Sequence, residues 1–261
     1  MSVNRDVLPR DLADGIQWLG ECYGMPHRGE WLHSYDSLFL VSGEESSLLV
    51  DAGLPVDDEV VDGQLRRALA GRPPLRYIFL THQETPHVGG VGRLLERFPE
   101  ATAIGDTRDY HLIFPTLSER FQKIEADETI DLGALSFVVV QPAIKDLITT
   151  LWGVVPERRA LFCGDGFAYA HHHRADECGK LAHELPQLPI DELGGLFVEQ
   201  ALNWARFVDP EPFIGDLDAL LERHAIDLVG PTHGLPIVDL PAVLPAIYAG
   251  LRSAADRGRS S

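Results

Sequence analysis

Cysteine is scarce: Cys22, Cys163 and Cys178 are the whole supply, odd in number, widely spaced and without a CxxC pair. That pattern excludes a disulfide scaffold, argues against a cysteine-based zinc site and fits a reducing cytoplasm. Basic residues are also in deficit, 22 against 40 acidic, and the net charge of −18 repels phosphate backbones and anionic headgroups. Neither nucleic acid nor a membrane is therefore expected as a partner. No run approaches the ~20 apolar residues of a membrane span, and the N-terminal MSVNRDVLPRDLADG has no apolar h-region. Repeats, low-complexity tracts and long Pro/Gly/Ser linkers are missing too. What remains is an ordinary globular composition, 45% hydrophobic and 24% charged over 261 residues. It is expected to form one continuous cytosolic domain over 1–255, with DRGRSS at 256–261 as a disordered tail.

Short apolar or alternating runs closed by turn residues predict strands at 16–20, 36–43, 46–53 and 75–80, then at 101–106, 135–141, 149–155 and 159–165. Helices are predicted at 57–70, with acidic residues at its start, and at 88–99, which stops at Pro99. The second half turns helical at 188–208 and 212–225, where Phe213, Leu217, Leu220, Leu221 and His224 trace one face. A strand at 226–234 and the helix LPAVLPAIYAGLRSAA follow. Strand runs with inserted helices in each half predict two sheets sandwiched between helices.

The chemistry concentrates in RYIFLTHQETPHVGG, where a buried strand runs into a loop holding His82, Glu84 and His87. Imidazole nitrogen and carboxylate oxygen are donors for first-row transition metals, and three within six residues are hard to explain as packing. Two further strand ends carry donors: LFCGD presents Asp165, and LVGPTHG presents His233. Alone, such an Asp is usually a turn or cap residue and such a His a surface residue. If the strands are neighbours, their ends converge on the geometry of a dinuclear site, with metals about 3.5 to 4 Å apart.

These motifs, in this order, resemble the metallo-β-lactamase superfamily, and within it the diiron β-lactamase-like domain of flavodiiron and related oxygen-binding diiron proteins. The superfamily hallmark HxHxDH becomes HxExDH in flavodiiron proteins, and HQETPH aligns His82, Glu84 and His87 with that variant. SSLLVDAG is similar to the superfamily's early strand and Asp turn at Asp51, LFCGD to the bridging aspartate at Asp165, and GPTHG to the terminal histidine at His233. The resemblance implies an α/β fold, an αββα sandwich of two mixed sheets flanked by helices. The chain departs from the pattern twice. Pro86 stands where the family has a ligating aspartate, and the middle histidine falls on Asp146, with eighteen residues between it and Asp165. A two-residue shift would place Ile144 there instead.

The resemblance implies one metal held by His82, Glu84, Asp146 and bridging Asp165, and a second held by His87, His233 and Asp165. The carboxylate total stays at three, and the oxygen-rich first set favours iron or manganese over zinc. Asp165 and Asp146 are the candidate catalytic residues, and Asp51 is expected to orient a ligating imidazole. HHH at 171–173 (His171, His172, His173) is read as a loop overhanging the site or as an exposed polar loop. Trp31, His33, Tyr35 and His111 are read as pocket or core residues, and Cys163 as a small buried hydrophobe.

The implied function is a non-haem diiron protein that binds or reduces O2 or NO, or oxidises an organic substrate as an oxygenase. Family members carry a flavodoxin domain for which this chain leaves no room, so the electron donor is expected to be separate. The alternatives are a dinuclear zinc hydrolase of a thioester or lactone and a non-catalytic oxygen-binding or sensor module. A symmetric homodimer is compatible with either.

Overall fold

The computed structural model describes residues 7–174, 177–185 and 189–259. The chain folds as an αββα sandwich. The first sheet runs β1 (Arg10–Ala13), β2 (Ile16–His27), β3 (Glu30–Ser42), β4 (Ser47–Val50), β5 (Leu75–Leu80), β6 (Thr102–Gly105), β7 (Phe121–Lys123), in that spatial order. Its first four strands are antiparallel, and β4 to β7 are parallel. The second sheet has the order β12 (Leu228–Gly230), β11 (Ala160–Phe162), β10 (Trp152–Val155), β9 (Ser136–Val140), β8 (Thr129–Asp131), with β11 and β12 parallel and the rest antiparallel.

Strand alternation explains how both faces of the first sheet are covered. On β3, Phe39 and Val41 enter the core between the sheets, whereas Leu38 and Leu40 pack under α1 (Asp58–Ala68) and α3 (Val91–Arg97). Four phenylalanines knit the sheets together: Phe39 to Phe162 at 5.1 Å between ring centroids, Phe79 to Phe137 at 4.9 Å, and Phe137 to Phe162 at 6.2 Å. Gly153 on β10 exists for this packing, since a Cβ there would lie 1.9 Å from Phe137 Cζ. With that ring fully buried, Gly153→Ala is expected to cost about 1–3 kcal/mol through overpacking, read as a lower denaturant midpoint at unchanged m-value.

Helices α5 (Ile190–Gln200), α6 (Glu211–Arg223) and α7 (Leu240–Arg259) contribute to the same core, α6 through Ile214, Leu217, Leu220 and Leu221. Ile214 takes the place expected of Phe213 and His224, which are only half-buried. The stretch expected as one helix at 188–208 stops at Gln200 and resumes as a 3-10 turn, Asn203–Phe207. The expected tail is helical through Arg259, while residues 260–261 lie outside the described residues. No helix among the described residues is long and apolar enough to cross a membrane.

The ends of four strands meet at one edge. Asp51 follows β4, His82 lies two residues past β5, Asp165 three past β11, and His233 three past β12. Because β4 and β5 are parallel neighbours, as are β11 and β12, each sheet delivers a pair of adjacent C-terminal ends. The β9–β10 connection is tied to this edge by Leu151 N–H donating to the Thr81 carbonyl at 2.8 Å.

Candidate metal centre

His82 and His87 are buried, with ring centroids 3.7 Å apart. His87 enters on the short helix α2 (Thr85–Val88), with Pro86 inside its first turn. The residue at which the family pattern expects an aspartate thus serves the backbone here: a fixed φ suits a helix start and the missing N–H costs nothing there. Donor atoms of His82, Glu84, His87 and Asp165 all lie within 4.8 Å of one another. Asp165 Oδ1 is 3.4 Å from His87 Nε2 and 3.6 Å from His233 Nε2. Asp146, whose side chain is 4% exposed, places Oδ2 2.8 Å from His82 Nε2 and receives a hydrogen bond from Thr150 Oγ1. Ile144, the alternative at that position, is part of the hydrophobic core. Glu84 is the solvent-facing member, its side chain 47% exposed and 3.9 Å from His82 Nε2.

The hydrogen bonds fix which nitrogen of each ring faces the centre. His87 Nδ1–H donates to Asp51 Oδ2 at 2.7 Å, and His233 Nδ1–H donates to the Tyr35 carbonyl at 2.8 Å. Thr81 Oγ1 donates to Asp51 and sits 3.3 Å from His82 Nδ1, from which it accepts. All three Nε2 atoms therefore face the centre. The buried His82 Nε2, His87 Nε2, Asp146 Oδ2 and Asp165 Oδ1 approach one another as imidazole–carboxylate pairs but make no well-aligned hydrogen bond. Polar atoms left with poor geometry in a packed interior are costly unless something else satisfies them. Divalent cations fit this donor set: imidazoles with Nδ1 anchored by an acceptor, surrounded by carboxylates, are the usual environment of a bound metal.

Electrostatics point the same way. Burial alone would raise the Asp165 carboxyl, but His233, His87 and His82 hold it far below the usual carboxylate range. Burial pulls His87 down, and Asp51 and Asp165 more than offset it, holding it well above the ordinary imidazole value. For His82, burial and His87 act downward while Asp146 and Glu84 carry it above its ordinary value. Any incoming cation must displace such protons, so affinity falls on acidification.

Several residues the sequence reading did not single out support the ring. Thr81 and Thr232 both donate to Asp51, and each immediately precedes a histidine, so the repeated Thr-His pair at 81–82 and 232–233 was an available signal. Asp36 approaches His233 Nδ1 at 3.4 Å, and burial pushes its carboxyl up to about 6. Tyr23 places its hydroxyl 3.3 Å from the same nitrogen, and Phe197 stacks on His233 at 5.4 Å.

The HHH run goes elsewhere. His171 makes a β-bridge with His33 and is fully buried, His172 is exposed beside Glu30 at 3.9 Å, and His173 meets Cys22 and Cys178. Among the described residues none of the three has a hydrogen bond, ion pair or ring contact with the six candidate ligands, so the expected overhang is replaced by packing on the β2–β3 hairpin. Trp31 is 64% exposed, Tyr35 is buried and accepts the Gly179 N–H at 2.6 Å, His111 lies on the surface in α4 (Tyr110–Ile113), and Cys163 is fully buried.

Fold and donor set together define a metal-binding αββα protein. The chain belongs to the metallo-beta-lactamase superfamily, whose domain matches residues 34–238. It is similar to a coenzyme F420H(2) oxidase of Methanothermobacter marburgensis, 24% identical over 255 residues that cover 92% of this chain and 60% of that protein. Among solved structures it resembles the rubredoxin oxygen:oxidoreductase of Desulfovibrio gigas (TM-score 0.71, 15% identity, 94% of this chain, 61% of that one). It also resembles the flavodiiron protein of Giardia intestinalis (TM-score 0.66, 17% identity, 95% of this chain, 58% of that one). The chain thus spans about three fifths of the length of these relatives.

Proposed function

We propose that this chain is a non-haem diiron protein that binds and reduces O2 or NO, with electrons delivered by a separate donor. One observation carries the reading: the convergence of His82 Nε2, His87 Nε2, Asp146 Oδ2 and Asp165 Oδ1 in a buried ring, close to one another and without well-aligned hydrogen bonds. His82, Glu84, Asp146 and Asp165 would hold one ion, and His87, His233 and Asp165 the other. Four carboxylate and imidazole ligands around the first favour iron or manganese, and two imidazoles with one carboxylate leave open positions at the second. Two ferrous ions would supply reducing electrons and vacant coordination positions for a diatomic ligand.

The protein's part is positional. Asp165 lies between His87 and His233, where its carboxylate can bridge. Phe197 walls the His233 side against water. Burial raises the Tyr23 phenol, so its hydroxyl stays neutral beside His233 Nδ1. Asp36, its carboxyl pushed by burial up to about 6, is ionised near neutral pH and takes up a proton there on mild acidification. The same site with an oxidisable organic molecule bound would act as an oxygenase, the separate donor supplying the electrons that the substrate does not.

The test is metal content on protein made with iron supplied and purified without oxygen, followed by the optical change on admitting air. Two irons per chain and a new absorption band support the proposal. Stoichiometric zinc with no response to air overturns it in favour of ester or thioester hydrolysis, and a chain that takes up neither metal leaves a non-catalytic module. Within the proposal, Asp146→Ala is expected to weaken the first ion at least about 100-fold, more than loss of an outer contact does. Pro86→Asp should retain two. Full iron loading of the alanine variant would remove Asp146 from the ligand set.

A further inference from the structure

The fold assembles a second donor cluster, remote in sequence from the ring at the strand ends. Cys22 on β2 and Cys178 are both buried, and their sulfurs lie within 4.8 Å of each other and of His173 Nε2. Cys22 Sγ is 3.2 Å from His173 Nε2 and 3.6 Å from His33 Nδ1, and Cys178 Sγ is 3.8 Å from His173 Nε2. The two imidazoles stack at 4.1 Å. No disulfide joins the cysteines.

We propose that Cys22, Cys178 and His173 are the protein ligands of a structural zinc site that pins His173 and Cys178 to the β2–β3 hairpin. The spacing fits. Around a tetrahedral ion with Zn–S of about 2.3 Å and Zn–N of about 2.0–2.1 Å, a sulfur and a nitrogen ligand stand about 3.6 Å apart. The two distances from His173 Nε2 to the sulfurs, 3.2 and 3.8 Å, bracket that value. The tautomer fits as well. His173 Nδ1–H donates to the Arg174 carbonyl at 2.7 Å, so Nε2 is the bare nitrogen and it faces both sulfurs. An imidazole whose far nitrogen is held by a carbonyl is the arrangement that metal-bound histidines show. A third observation is His171, fully buried with both ring nitrogens lacking partners, 5.0 Å from the His173 ring. This is a pocket of imidazole and thiol rather than a packed apolar one. Two soft thiolates select zinc over the harder ions suited to the carboxylate-rich ring.

The site would stiffen the wall of the first centre. Neighbours on β2 point to opposite faces, so Cys22 meets His173 while Tyr23 meets His233. On β3, His33 is bonded through both backbone groups to His171, and two residues on Tyr35 gives its carbonyl to His233. An ion here would lock the hairpin whose Tyr23, Tyr35 and Asp36 touch the terminal histidine. The inference is independent of which metal occupies the first centre.

Zinc K-edge X-ray absorption on the full chain, purified with reductant and loaded with zinc, reads the site directly because the first centre contains no sulfur. The expected result is a sulfur shell at about 2.3 Å with nitrogen at about 2.0–2.1 Å. Cys22→Ser and Cys178→Ser should each lose one zinc per chain together with that shell, leaving the metal content of the first centre unchanged. Should either variant fold poorly, cobalt(II) added to the unaltered protein is expected to give a sulfur-to-cobalt charge-transfer band in the near ultraviolet. Zinc surrounded by nitrogen and oxygen alone, absence of that band, or a Cys22–Cys178 disulfide in the reduced preparation would overturn the proposal.

Discussion

Asp165→Asn is expected to reduce metal binding from two ions per chain to one at most, and to abolish the optical response to air. The carboxylate stands within 3.4 Å of His87 Nε2 and 3.6 Å of His233 Nε2, and its Oδ1 has no other partner. Under the proposed assignment it is the one side chain common to both ions. An amide of the same shape removes a full negative charge from a buried site and offers a single neutral oxygen to two cations. Loss of an outer contact commonly costs 10–100-fold in metal affinity, so loss of a shared ligand should exceed about 100-fold at each ion. The measurement is a competition titration with a chelating dye, paired with thermal unfolding. Metals that bind only the folded state stabilise it by an amount that grows with the logarithm of [metal]/Kd, so the metal-dependent gain in Tm should collapse in the variant. Circular dichroism checks that the sandwich persists. An Asp165→Asn protein that still holds two ions would remove the bridge from the scheme.

The parts of this molecule that were legible in the sequence are those whose information is local. β5 matches the predicted run at 75–80, because an unbroken apolar strand in a parallel sheet is buried on both faces and is bounded by turn residues. His82, Glu84 and His87 stand within six residues of each other, so their meeting needed no knowledge of the fold. The missed strands β1, β7 and β8 lie at the edges of the two sheets, where half-exposed polar residues such as those of FQK erase the hydrophobic signal. The outer half of the β2–β3 hairpin went unread for a related reason. Past Gly20 its residues are Glu, Cys, Tyr and Pro, paired through a tight turn at Arg28 and Gly29, both with positive φ. That outer half holds Cys22 and Tyr23, so their meetings with His173 and His233 were hidden with it. Cysteine spacing argued against a thiol metal site, but Cys22 and Cys178 meet through tertiary folding, on which spacing along the chain is silent. The two departures from the family pattern were visible as letters. What the letters did not carry was that Pro86 starts a helix and that Asp146 is brought to His82 by the loop that Leu151 ties to Thr81.

Asp51→Asn is expected to cost metal affinity about 10–100-fold at the ion held by His87 while leaving every proposed ligand in place. Asp51 is fully buried and sits at φ 61°, a left-handed conformation that asparagine tolerates well, so the turn itself should survive. Its carboxylate accepts from Thr81 N–H at 2.9 Å, Thr81 Oγ1 at 2.9 Å, Thr232 Oγ1 at 2.9 Å and His87 Nδ1 at 2.7 Å. An amide has one oxygen, and its NH2 must face one side of this group. Turned towards Thr81, it opposes a backbone N–H that has no other orientation. Turned towards His87, it opposes Nδ1–H, and the ring escapes by moving its proton to Nε2, the nitrogen that would bind the metal. Either orientation leaves a buried donor without an acceptor, at about 1–3 kcal/mol, or spends metal affinity on the wrong tautomer. The two costs separate experimentally. With zinc or iron in excess the tautomer is driven back and the stability deficit remains; without metal the stability deficit is smaller and the affinity deficit is seen in titration. Asp51→Ala removes the acceptor altogether and strands donors from Thr81, Thr232 and His87, so it should destabilise the fold by several kcal/mol whether or not metal is present. If Asp51→Asn binds metal as tightly as the unaltered chain, Asp51 is a turn residue that happens to touch His87, and the orientation of that imidazole must come from Thr81 and Thr232 instead.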